Sequence, residues 1–199
     1  MKKGTITILA IVAIVAIAIL WGVGVYNKLV NSEESVSQAW SQVENVYKRR
    51  ADLIPQLVAT VQGAANYEKG TLTEVIEARA KATSVQVDAN NLTEANVAQF
   101  QKAQDALTGA LSRGLNVIVE RYPELTATQG FRDLQVQLEG TENRIATERS
   151  RFNDAVAAYN KTIRRFPNNI IAGISGFEKK GYFTAPEGSD EPVKVEFNF

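Results

Sequence analysis

The hydrophobic pattern changes character once along the chain. From Ile6 to Val25 it is continuous (ITILAIVAIVAIAILWGVGV), and no charge interrupts the stretch between Lys3 and Lys28. Twenty helical residues at about 1.5 Å each span about 30 Å, the thickness of a bilayer's hydrocarbon core. A helix that is apolar all round offers no face to water. The pattern predicts a membrane-spanning helix that meets the lipid bilayer through residues 4–26. Trp21 and Tyr26 lie toward its C-terminal end, where amphipathic rings favour the headgroup layer. A cleaved signal peptide is the competing reading, since Ala16-Ile17-Ala18 and Gly22-Val23-Gly24 both resemble small-x-small cleavage sites. Cleavage at the first would leave Ile19 to Val25 as a new apolar terminus, and the run exceeds a usual signal core. A retained anchor is therefore the reading adopted.

Beyond the anchor the pattern becomes periodic, and residues 32–166 read as helical almost throughout. Val36, Trp40, Val43, Tyr47, Arg50, Ile54, Leu57 and Val61 alternate in steps of four and three. That is a heptad stripe with one charge, Arg50, on its seam. Asn27 to Ser37 holds no Pro or Gly, so this helix can continue directly from the anchor. Pro55 removes one internal hydrogen bond and predicts a kink. A second helix is expected from Tyr67 or Glu68, with Leu72, Val75, Ile76 and Arg79 on one face. Residues 84–92 (SVQVDANNL) carry turn formers.

Thr93 is a plausible cap for the next helix. Its stripe is Val97, Phe100, Gln104, Leu107, Leu111, Gly114 and Ile118, and Tyr122-Pro123 ends it. Gly114 could let helices approach closely, although Gly114 and Gly109 both fall where a longer aliphatic would pack better. A last helix is expected from about Thr126 to Arg165, with Leu138, Ile145, Phe152, Tyr159 and Phe166 every seven residues, and Pro167 stops it. The remainder reads as an apolar patch, Ile170 to Phe177, followed by an extended or disordered acidic end. The predicted fold is all-α: an N-terminal transmembrane helix, then an antiparallel bundle of three to four long helices. The expected division is 1–27 leader and transmembrane helix, 28–167 bundle, and 168–199 C-terminal strap and flexible acidic tail.

Composition narrows the chemistry. Lys+Arg and Asp+Glu both number 22, and there is no His and no Cys. This excludes Ser-His-Asp and Cys-His triads, a phosphoaccepting His, the usual Cys/His zinc sites, thiol redox chemistry and disulfides. Di-iron bundles built on Glu-x-x-His motifs are excluded as well. The net charge divides unevenly. Lys2 and Lys3 precede the apolar run without an acid, and the chain from Lys28 onward is slightly acidic. That balance argues against nucleic acid as a partner. With Lys2 and Lys3 on one side and Glu33 and Glu34 soon after Lys28 on the other, the positive-inside rule predicts a cytoplasmic N-terminus and an external bundle.

One polar constellation stands out: Arg49, Arg50, Asp52, Glu139, Glu142, Arg144 and Arg149. Arg50 lies on the first seam, and Glu142 or its neighbour Glu139 on the last. Helix pairing would join them as a partly buried ion pair that fixes register. A partner-binding role is the second reading and catalysis the third. Asp88-Ala89-Asn90-Asn91 could hold a cation but lacks EF-hand spacing, so a turn is expected there. Ile170, Ile171, Ile174 and Phe177 form an apolar patch. It would either strap the bundle, or bind a partner or dip into the membrane surface.

Several of these stretches, in this order, resemble the LemA family. They are Trp40-x6-Tyr47-x-Arg49-Arg50-x-Asp52-Leu53-Ile54-Pro55-x-Leu57-Val58, Glu68, Glu77-Ala78-Arg79-Ala80, and Leu111-Ser112-Arg113. Tyr122-Pro123-x-Leu125, Leu138 to Ile145, Tyr159-Asn160, Phe166-Pro167 and Gly173-x-x-Gly176-Phe177 before Tyr182-Phe183 continue the match. The resemblance implies a bacterial protein with a membrane segment and a soluble helical bundle, related to a magnetosome-membrane branch. It implies no enzymatic activity and no cofactor. In such a protein the N-glycosylation patterns at Asn91 and Asn160 are coincidental. The resulting expectation is a non-enzymatic scaffold or interaction module at the cell envelope, in the cytoplasmic membrane, meeting its own copies as a homo-oligomer or another envelope protein. Catalytic, cofactor and metal residues are expected to be none. The alternatives are a carboxylate-only membrane-linked enzyme and a metal- or ligand-sensing bundle.

Overall fold

The computed structural model describes residues 3–63 and 72–185. Their helices are α1 (Lys3–Gln62), α2 (Thr73–Ser84), α3 (Glu94–Arg121), α4 (Pro123–Thr126), α5 (Gln129–Arg164) and α6 (Asn168–Ser175). The predicted start of the second helix at Tyr67 or Glu68 lies outside the described residues, as does the acidic end, 186–199.

The apolar N-terminal stretch and the first bundle helix are one element. α1 runs for 60 residues, and its apolar first third is long and hydrophobic enough to cross a membrane. There Ile8, Ile11, Ile14, Ile17 and Leu20 are all exposed. Burial begins with Val25 and Leu29, then follows the heptad: Val36, Trp40, Val43, Tyr47, Arg50, Ile54, Leu57 and Val61 are all buried.

α1 continues through Pro55. Proline has no N–H for the carbonyl four residues earlier, which belongs to Ala51. Arg79 Nε on α2 donates to that carbonyl at 2.7 Å. The missing backbone bond is thus replaced from a neighbouring helix.

The helices alternate in direction. α5 runs antiparallel to α1, with Phe152 against Trp40 and Glu142 against Arg50. α2 and α3 form an antiparallel pair, with Glu74 bonded to Arg113 near one end and Gln104 to Ala82 near the other. Their approach is close because Gly114 has no side chain. A Cβ there would stand 2.8 Å from Val75 Cγ2 and 3.3 Å from Leu72 Cδ2. This corrects the expectation that a longer aliphatic would pack better at Gly114.

Local signals account for most boundaries. The Thr93 hydroxyl caps α3 by accepting from the Asn96 N–H at 3.2 Å, and α3 ends before Tyr122-Pro123. Pro123 then opens a single turn, α4, so the last long helix starts later than Thr126. Its cap is Thr128, which accepts from the Phe131 N–H. Leu72, just before α2, and Val75 and Ala82 within it are buried, whereas Ile76, expected on that face, is exposed.

Phe166 is also corrected. It extends the heptad of Tyr159 in the sequence, but α5 stops at Arg164 and Phe166 is 76 % exposed. Ile163 closes the seam instead.

The core has two apolar halves. One gathers Val36, Trp40, Tyr47, Phe100, Phe152 and Tyr159 at the anchor end. The other gathers Ile54, Leu57, Leu72, Leu107, Ile118 and Phe131 at the far end. Each fully buried side chain of this size contributes about 1.5–3 kcal/mol. Between the halves lies a polar layer.

Candidate functional site

Arg50 is the centre of that layer and is 1 % exposed. Its Nη1 donates to Thr108 Oγ1 at 2.6 Å and to Glu142 Oε1 at 2.9 Å. Its Nη2 donates to Gln104 Oε1 at 2.7 Å and to the Gln104 carbonyl at 3.1 Å. Gln104 Nε2 in turn donates to the Ala82 carbonyl at 3.3 Å. One guanidinium and one amide therefore link α1, α2, α3 and α5. The guanidinium also lies 5.0 Å over the Tyr47 ring. Burial pushes the Tyr47 phenol above its ordinary value, a rise that the nearby Arg149 and Arg50 charges offset in part.

The seven polar residues singled out in the sequence do not form one cluster. Arg50 and Glu142 meet in the layer. Arg149 borders the layer at Tyr47 but turns toward the C-terminal segment. It donates to the Thr184 carbonyl at 2.9 Å, lies 4.8 Å over the Phe183 ring and comes within 3.7 Å of Asp105. Arg49, Asp52 and Arg144 are exposed, as is Glu139, which accepts from Gln135 Nε2 at 3.1 Å. Only one residue in each of the two charged runs sits on a seam, and the helical turn carries its neighbours to solvent.

After α6 the chain turns at Gly176, whose φ of 75° suits glycine, and runs back over the bundle. Side-chain amides receive it as a partner strand would. Asn160 accepts from the Lys180 N–H at 3.0 Å and donates to the Lys180 carbonyl at 2.9 Å. Asn153 does the same for Phe183, at 2.9 and 2.8 Å. Gln101 does it for Thr184, at 3.0 and 2.9 Å. The Gly181 N–H reaches the Leu92 carbonyl at 2.8 Å.

Phe183 fills the space between the helices. Its ring stacks on Trp40 at 5.9 Å and meets Phe152 edge-on at 5.4 Å. Lys180 is buried, pairs with Glu33 at 2.7 Å and donates to the Asn90 carbonyl at 3.2 Å. Sequence reasoning assigned this segment no contacts and passed over Asn153 and Gln101. One signal was available: Phe152-Asn153 and Tyr159-Asn160 repeat an aromatic-Asn pair one heptad apart.

The apolar patch divides. Ala172 is buried, Ile171 and Phe177 are half-buried against α1, and Ile170 and Ile174 are exposed. Ile171 Cδ1 lies 3.8 Å from where a Cβ on Gly22 would stand, and Phe177 meets Tyr26 edge-on at 5.8 Å.

The carboxylates are dispersed. A groove of about 360 Å³ between α1 and the α2–α3 connection contains Glu44 and Asp52. They are eight residues apart, about 12 Å along the helix axis. That exceeds the spacing at which two carboxylates share acid–base work on one bond. Asp88 is engaged in a turn, accepting from the Asn90 N–H at 2.8 Å. Among the described residues no group of three Asp or Glu side chains is placed to hold a metal ion.

A model of the LemA family matches residues 39–197. The chain belongs to the LemA family. The match begins one residue before Trp40 and covers the bundle from there, α6 and the returning strap. Among curated LemA-type relatives, the magnetosome protein MamQ of Magnetospirillum gryphiswaldense is 27 % identical over 94 % of this chain and 74 % of its own length. MamQ 1 of Paramagnetospirillum magneticum is 26 % identical over the same shares. Protein LemA of Metamycoplasma hominis is 25 % identical over 83 % of this chain and 71 % of its own. None of these names carries a reaction. The LemA motif residues have distinct tasks here: Arg50 and Glu142 bind the layer, Arg79 satisfies the helix at Pro55, and Tyr159-Asn160 receives the strap.

Proposed function

We propose that this LemA-family chain is a non-enzymatic scaffold or interaction module tethered to the bacterial cytoplasmic membrane. Residues 4–26 cross the bilayer once, with the N-terminus in the cytoplasm and the bundle outside. The bundle, residues 28–167, presents its outer surface to another envelope protein or to further copies of itself.

The observation that carries this reading is the continuity of α1. Its exposed apolar third and its buried heptad third belong to one helix, so the bundle is held upright on its anchor. Supporting it, Arg50, the most buried charge among the described residues, spends its Nη hydrogen bonds inside the bundle. Proteins confined to one bilayer meet at high effective concentration, so a weak lateral contact suffices for assembly.

Amine-reactive crosslinking in native membranes, followed by mass spectrometry, tests the proposal. A reproducible partner or a ladder of homo-oligomers is expected. Recovery of uncrosslinked monomer alone would overturn it.

A further inference from the structure

We propose that α6 is a second membrane contact, an interfacial helix that lies in the outer boundary of the bilayer beside the point where α1 leaves it. The proposal rests on the reading that residues 4–26 span the membrane.

Position is the first argument. Ile171 packs at Gly22 and Phe177 at Tyr26. Gly22 lies one turn inside the apolar run, which ends at Val25. Three residues at about 1.5 Å place Gly22 about 4.5 Å below that end. Interfacial helices bury their apolar face about 5–10 Å into the boundary between headgroups and acyl chains. Any side chain level with Gly22 and facing away from the protein meets lipid.

Composition is the second argument. Residues 166–177 (FPNNIIAGISGF) contain no charge. Ile171 and Ala172 turn inward, whereas Phe166, Ile170 and Ile174 are 76, 50 and 80 % exposed. Two large apolar groups one turn apart on a short helix, with a third, Phe166, exposed just before it, are unusual on a surface facing water. Trp21 and Tyr26, both partly exposed, add aromatic rings at the same level.

Charge is the third. α5 descends antiparallel to α1, losing one residue of height for each residue gained, so its end at Arg164 comes level with Lys28. Lys28, Arg164 and Arg165 are exposed there, and Lys179 follows the helix with one acid, Glu178, beside it. This basic collar sits where phosphate headgroups would be, above the apolar side chains that enter the acyl region. The occupant is therefore a lipid surface with anionic headgroups rather than a second copy of the chain.

The absence of Cys makes the test direct, because each introduced Cys carries the only label. The full chain would be reconstituted in vesicles of phosphatidylethanolamine and phosphatidylglycerol. Nitroxides would be attached through Ile170→Cys or Ile174→Cys, with Ile14→Cys and Arg144→Cys as references for the span and for the exposed bundle. Unchanged helical content by circular dichroism confirms that each variant is folded. The expected result is a ratio of oxygen to nickel-chelate collisions several-fold higher at 170 and 174 than at 144, and lower than at 14. Equal nickel access at 170, 174 and 144 would overturn the proposal. So would exclusion of both reagents, which indicates a protein cover. An aqueous signal at 14 would overturn the spanning reading and this one with it.

Discussion

Arg79 Nε donates to the carbonyl oxygen of Ala51 at 2.7 Å, the acceptor that Pro55 leaves open in the middle of α1. Proline inside a helix costs about 3 kcal/mol or more. Here an adjacent helix supplies the missing donor with a charged group. α2 thereby becomes part of the condition for α1 to run unbroken.

Arg79→Met should destabilise the protein by about 1–3 kcal/mol, the range for losing a charged hydrogen bond to a sheltered carbonyl. In a Pro55→Ala background the residue at 55 regains an N–H for Ala51, so the loss should shrink. Denaturant unfolding of the detergent-solubilised chain, followed by circular dichroism across the double-mutant cycle, checks this. Equal losses in both backgrounds would refute the pairing.

For the polar layer, which partner is removed matters more than the number of bonds lost. Glu142→Ala leaves a buried guanidinium facing only neutral acceptors and should cost about 1–3 kcal/mol. Arg50→Leu removes the charge and leaves Gln104 still bonded to Ala82, so it should cost less or be neutral. The same unfolding experiment ranks the two, and a larger loss for Arg50→Leu contradicts the argument.

Gly181 is where the strap comes closest to the bundle. A Cβ there would stand 2.6 Å from Glu94 Cα and 2.8 Å from Glu94 N, both backbone atoms. Gly181→Ala should therefore lift the strap, with an overpacking cost of about 1–3 kcal/mol. Gly173→Ala meets no described atom within 4 Å beyond its own helix backbone and should be tolerated. Limited trypsin digestion reads the difference as faster cleavage after Lys179 and Lys180 in the Gly181 variant only.

The Tyr159 hydroxyl is buried and has no hydrogen-bond partner among the described residues. Burial, then the Glu33 and Glu178 charges, push its ionisation above the ordinary phenol value of 10.0. A raised folded-state value favours the neutral form. The stability it supports is present below about pH 10 and is lost above it, as the unfolded phenol ionises. Tyr159→Phe should leave stability at pH 7 unchanged or slightly higher, since no bond is lost. It should also flatten the decline above pH 10. Unfolding midpoints from pH 7 to 11 provide the measurement, and a lower midpoint at pH 7 would count against it.

The helical seams were legible because burial in a bundle follows the period of the helix. Every position of the α1 and α3 stripes is buried, including the polar Arg50 and Gln104. That Arg50 would meet a carboxylate on the last seam followed from seam positions, which left Glu139 and Glu142 both open and which the structure resolves to Glu142, whereas Arg49, Asp52 and Arg144 were grouped with them by proximity in sequence alone. Phe166 was misplaced because the heptad was carried past the end of α5. A C-terminal strap was expected, but its docking was not legible. Lys180 to Thr184 is extended and bonded to side-chain amides, and no period in its own residues reports where it docks. Its receptors carried the signal, in the aromatic-Asn repeat of α5.

From Val25 to Ile54, α1 contains neither Gly nor Pro. With residues 4–26 across the bilayer as proposed, bilayer and bundle would share one rigid lever without a pivot. A 60-residue helix is about 90 Å long, and roughly 55 Å of it projects beyond the apolar run. Transmembrane helices tilt by about 20° on average, which would swing the far end of this one sideways by roughly 20 Å. A change in bilayer thickness would thus reach the tip of the bundle as a lateral displacement many times larger than the change itself.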